Sequence, residues 1–274
     1  MKAGQRISLI FGEPEAAPGD YPTSRIQKGL LLVCGKERLS EEGLGFGVPL
    51  LKFGNRDIFP GSARLFFNNV IDGASTIEAV YELNLIKKMA MNGRHIKSRT
   101  IYGIETYFGR LHREYPVLRE TVDRGGSQLR QLFGINSVFE KGVTAGNIGV
   151  TYTMPKRGST IHVAVDLSDV KRDGLTEIII ANEQGANYFD GYCDANGKRL
   201  SGEKIGTWDE VIAEHASLID SGNRVTFTLG KINMGRLFRG RELAPGRLAW
   251  AGLNYILLPN TAHFTYDIEL GENT

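Results

Sequence analysis

The chain has 274 residues, 41% hydrophobic and 23% charged, with a net charge of +2 and a pI of about 8.4. That composition excludes a disordered chain, and the charge is too near neutral for the clustered basic surface of a nucleic-acid binder. No run approaches the ~20 apolar residues of a membrane helix, and the apolar run within the first thirteen residues is too short for a secretion signal. The expectation is a cytoplasmic protein without a nucleic-acid or membrane partner.

In chain order, Leu30-Leu-Leu-Val-Cys34 reads as a first strand. Gly43-Leu-Gly-Phe-Gly47 superficially resembles a phosphate loop, which must open a helix whose amides face the phosphate. Here Val48-Pro49 and the strand-like Leu50–Phe53 follow instead, so a glycine-kinked strand is the better reading. Gly54-Asn55 reads as a turn. In Ile77–Leu85 every second residue is apolar, long enough to cross a large sheet.

Residues 100–134 change period. Ile101, Ile104, Phe108, Leu111 and Tyr115 fall at helical spacing. Pro116 closes that helix or opens a second, and Ser127 caps a short third.

Alternation then returns in Asn147–Met154, Ile161–Leu167, Arg224–Leu229 and Phe264–Leu270. Ile178-Ile-Ile180 is apolar on both faces and reads as a central strand. Tyr188–Cys193 and Lys198–Leu200 flank Asp194-Ala-Asn-Gly197, whose Asn-Gly tolerates positive φ and marks a hairpin. Tyr188, Asp190 and Tyr192 would share one face of that strand. Thr207-Trp-Asp-Glu210 resembles a capping box, with Trp208, Val211 and Ile212 as a buried helical stripe. Asp220–Asn223 reads as a turn, and Met234–Leu243 and Arg247–Leu258 read as a hairpin about Pro245-Gly246.

Strands at intervals of roughly ten residues without βαβ alternation predict a mainly β protein. The expected fold is one domain over residues 1–274: a large antiparallel β-sandwich, supersandwich-like, with a short helical insertion around 100–134. The architecture is similar to the supersandwich of sugar mutarotases and polysaccharide lyases; no motif in the chain identifies a family.

The chemistry-bearing residues are dispersed. Cys34 and Cys193 form no C-x-x-C pair and read as reduced core thiols. His95, His112, His162, His215 and His263 show no metal-ligand spacing, so no metal and no cofactor are expected. His162 and Asp166, four apart on one strand, read as a sheet-face pair. Catalytic candidates are His112, Glu105 and Tyr115 beside the helical insertion.

The favoured ligand site is the hairpin. Arg239 and Arg241 share one strand face, with Arg236 and Glu242 on the other, and guanidinium groups fork onto anions. Trp250 and Tyr255 add flat apolar surface for a sugar ring. Three functions follow as expectations. The first is a non-enzymatic structural or interaction protein that self-associates into a homo-oligomer. The second is a carbohydrate-binding or carbohydrate-active protein for an acidic sugar or other anionic small molecule. The third is a small-molecule enzyme with its site beside the insertion.

Overall fold

The computed structural model describes residues 7–13, 26–39, 43–54, 56–69, 74–91, 94–95, 135–155, 159–222, 224–243 and 249–272. The expected helical insertion, and with it Glu105, His112 and Tyr115, lies outside the described residues. Among them the backbone is almost wholly antiparallel strand, as the alternation predicts.

Nineteen strands follow in chain order. The first seven are β1 (Ile7–Phe11), β2 (Leu30–Cys34), β3 (Glu37–Arg38), β4 (Gly45–Phe53), β5 (Arg56–Asn69), β6 (Ala74–Met91) and β7 (Arg94–His95). Next come β8 (Ile135–Lys141), β9 (Asn147–Pro155), β10 (Thr160–Asp166), β11 (Leu175–Gly185), β12 (Phe189–Asp194) and β13 (Arg199–Ser201). A 3-10 turn, Gly202–Ile205, precedes β14 (Asp209–Glu210), β15 (His215–Asp220), β16 (Val225–Gly230), β17 (Gly235–Leu243), β18 (Ala249–Leu257) and β19 (His263–Glu272).

Pairing arranges them as two facing layers. The first runs β13-β12-β15-β16-β19-β10-β9 and ends on the N-terminal half of β6 with β5. The second runs from the start of β5 through β4, β11, β18 and β17 to β14, with β2, β1 and β3 beside β4. β11 and β18 are paired on both edges and, from Ile178 and Ala249 onward, buried on both faces, which explains the apolar runs Ile178–Ala181 and Ala249–Leu253.

The β5–β6 hairpin belongs to both layers. Its register skips Asn84 on β6 and then Gly61 on β5. Such bulges bend a strand and sharpen its twist. A Cβ on Gly61 would lie 2.2 Å from Asn84 Oδ1, so a larger residue here would have to displace the Asn84 side chain. Beyond it β6 leaves β9 and pairs with β8.

The core lies between the layers. Tyr81, Tyr152, Ile161, Val163, Phe227 and Ile268 of the first meet Phe46, Leu51, Ile178, Leu253, Tyr255 and Leu257 of the second. Phe46 meets Phe227 edge-on at 5.1 Å, and Tyr255 meets Tyr266 at 4.9 Å, the tilted geometry aromatic quadrupoles favour. Burial pushes the Tyr81, Tyr152 and Tyr266 phenols upward, so all three stay protonated and donate. Tyr152 gives its proton to Phe46 O at 2.8 Å, and Tyr266 to Asn182 Oδ1 at 2.7 Å.

Two local expectations are corrected. The stretch 207–212 is not a helix: Asp209–Glu210 pairs with Arg239 and Phe238, and Val211 N donates to Leu237 O. So short a helix would have to nucleate against that edge pairing, and it loses. Ile212, expected in a buried stripe, is 70% exposed. In β12, a register shift between Phe189 and Gly191 breaks the alternation, so Phe189 and Tyr192 are both buried.

Candidate functional site

The arginine hairpin forms as expected, but its two faces differ. Arg239 and Arg241 share the face that carries core Leu237. Arg241 donates from Nη2 to Ala186 O at 2.9 Å and from Nε to Phe189 O at 3.2 Å. Arg239 is 7% exposed, lies over the Tyr192 ring at 5.1 Å and approaches Asp209 at 3.7 Å. Tyr255, in the core, donates to Gly230 O at 2.7 Å. The structure therefore gives Arg239, Arg241 and Tyr255 protein partners inside the sandwich.

The opposite face gathers a different set. Arg236, Phe238, Gly240 and Glu242 of β17 alternate onto it. Trp250, Gly252, Asn254 and Ile256 of β18 lie beside them in register, and Glu183 of β11 pairs with Gly252. Gly240 and Gly252 are direct partners, and the trough that their missing side chains leave is filled by neighbouring groups. A Cβ on Gly240 would lie 2.4 Å from the Trp250 ring, and one on Gly252 would lie 2.7 Å from Glu183 Cγ. The glycines thus hold the space that the indole and the carboxylate stem fill.

Three rings wall the trough. Trp208 stacks on Phe238 at 5.8 Å and meets Trp250 edge-on at 5.9 Å. Arg236 lies 5.2 Å from the Phe238 centroid and 3.6 Å from Glu210. Trp250 Nε1 donates to Glu242 Oε2 at 3.3 Å. Alongside, on the same face, Val48, Leu50, Ile179 and Ala181 join Phe238 and Ile256 in an apolar cluster.

Glu183 is the unusual member. It is 6% exposed, and among the described residues no cation pairs with it. Its Oε1 accepts from Asn254 Nδ2 at 3.1 Å, and the Leu44 amide also donates to it. Burial outweighs these bonds and, with Glu242 nearby, pushes its carboxyl up to about 7. Asn254 is itself held, because its Oδ1 accepts from Asn182 N at 2.7 Å. Its amide nitrogen is thereby aimed at Glu183. The group offers hydrogen bonds, flat apolar surface and a carboxyl that gains or loses a proton near neutrality.

Glu183 and Trp208 were not among the expected site residues. The available signal was Asn182-Glu-Gln184 directly after Ile178-Ile-Ile-Ala181: polar residues inside a strand otherwise buried on both faces.

The other expected groups lie elsewhere. His162 pairs across strands with Asp267 at 2.6 Å, and His263 with Asp166 at 3.5 Å. The expected His162–Asp166 contact thus gives way to two cross-strand pairs, since directly opposed residues are closer than i and i+4 along a strand. Both pairs are exposed on the outer face of the first layer, where a shallow depression of about 770 Å³ includes His162, His215, Asp267, Glu269 and Thr228. Neither Cys34, which is buried, nor Cys193, which is partly exposed and so not the core thiol expected, is in a disulfide. Among the described residues no group of three His, Cys, Asp or Glu is placed to hold a metal, and no helix is long and apolar enough to cross a membrane.

No family model matches the chain, and no curated protein matches it. Among solved structures it is similar to one titled "Crystal Structure Analysis of HI1317", at 8% identity and a TM-score of 0.34, over 97% of this chain and 100% of that one. A likeness so slight carries no weight for function.

Proposed function

We propose that the chain binds a sugar, and acts on it, along the rim of the glycine trough on the outer face of its second layer, where Trp208, Arg236 and Glu242 reach solvent. The observation that carries this reading is the grouping of buried Glu183 and Trp250 with exposed Glu242 on one sheet face, walled by Trp208 and Phe238. A sugar ring has an apolar C–H face that stacks on indole and a hydroxyl rim that needs carboxylates and amides. The trough supplies both. With Arg239 and Arg241 engaged by the protein, a neutral sugar suits it better than an acidic one; Arg236 is the exposed cation at its rim. Glu183, poised near neutrality, serves as the general acid or base, a role worth about 10²–10⁴-fold in rate.

A panel of free monosaccharides and short glycans, read by thermal shift and calorimetry, tests this. At least one sugar is expected to bind. Trp250→Ala is expected to weaken that binding about tenfold or more. Absence of binding across the panel, or a Trp250→Ala protein that binds as the parent does, would overturn it.

A further inference from the structure

We infer that β5 is a self-pairing edge through which two copies of this chain join their first layers into one continuous sheet. Residues 62–69 pair with β6 on one side only; among the described residues their other edge carries no strand. An open edge is a template for another strand, and soluble proteins ordinarily blunt it with charge, proline or brevity. Here the edge is eight residues long and carries Leu65-Phe-Phe67 within it. Phe66 is 48% exposed and Phe67 69%, on opposite faces of one strand.

The sequence of this edge identifies the occupant. A two-fold axis makes an isologous contact, in which residue i meets j and j meets i. With antiparallel pairing centred on Phe66, Phe66 faces its own copy, Leu65 faces Phe67, and Arg64 faces Asn68. Apolar side chains meet apolar ones, polar meet polar, and no like charges stand opposed. Five consecutive residues, Arg64-Leu-Phe-Phe-Asn68, thus read as polar, three apolar, polar in either direction. An unrelated strand would have no reason to match that symmetry.

The test is the association state of the full chain, by sedimentation and light scattering over a roughly hundredfold concentration range. A dimer is expected for the parent. Phe66→Lys and Phe66→Glu are each expected to weaken it about tenfold or more, because each opposes like charges across the axis. Phe66 is half-exposed, so both variants are expected to keep the parent's circular dichroism and melting temperature. An equimolar mixture of the two is expected to restore the dimer, since lysine then faces glutamate. Phe66→Cys is expected to form a disulfide between copies, because directly opposed Cα atoms stand about 4.5–5.5 Å apart, within disulfide reach. A parent that stays monomeric, a dimer indifferent to both charges, or a mixture that fails to re-associate each overturns the inference. Sugar binding is measured separately on the Phe66→Lys protein and is expected to be unchanged, so failure here and failure of the trough reading are told apart.

Discussion

Glu183 is the side chain whose protonation the fold has to tolerate. Its carboxyl moves from the usual 4.5 up to about 7 because burial penalises the charge more than the Asn254 and Leu44 donors favour it. Below about pH 4.5 the group is neutral in both folded and unfolded chains. Between there and about 7 the unfolded chain has lost the proton while the folded one keeps it, so stability falls as pH rises through that window. At roughly 1.4 kcal/mol per unit the loss is a few kcal/mol. Glu183→Gln removes that slope: chemical denaturation is expected to find parent and variant diverging in the variant's favour from acid to neutral pH. Asp220 is a buried carboxylate with a cation beside it. It is held by Arg224, from Nε to Oδ2 at 2.7 Å and from Nη2 to Oδ1 at 3.2 Å, while Arg224 Nη1 reaches Glu37 at 2.6 Å. Arg224→Ala strands that carboxylate without its cation and is expected to cost about 3 kcal/mol at neutral pH.

Among elements, alternation located several strands within a residue or two: Asn147–Met154 against β9, Ile161–Leu167 against β10, Phe264–Leu270 against β19. Period two survives wherever one face is buried and the other wet. It failed where the backbone inserts a residue, because a bulge transfers every later side chain to the other face. In β12 the shift at Phe189–Gly191 did this, and nothing in the local composition announces it. The trough was half legible for the same kind of reason. Trp250, Arg236 and Glu242 could be placed on faces from β17 and β18 alone, whereas the approach of Glu183 depends on β11 lying beside β18, a pairing across about seventy residues. Gly47 marks one such bulge. Its φ is +76°, and a Cβ there would lie 2.5 Å from the Tyr152 hydroxyl. Gly47→Ala is expected to cost about 1–3 kcal/mol, seen as a lowered denaturation midpoint with unchanged slope.

For the whole molecule, composition and turn spacing were enough to specify stacked antiparallel strands, because no other class shows short alternating runs without intervening helices over so long a stretch. Strand order was not legible. Neighbours such as β4 and β11, or β10 and β19, are about a hundred residues or more apart in the chain, and alternation says which face is buried without saying against whom. That arrangement has a kinetic corollary. β19 lies between β10 and β16, yet it follows every other described strand. The first layer therefore has a gap at its middle until the chain has been made through residue 272. Loop-closure entropy must be met before such distant pairings contribute, so refolding is expected on the slow side, milliseconds to seconds or longer. During synthesis β10 and β16 wait with open edges, and the vulnerable species is the nascent chain lacking its closing strand.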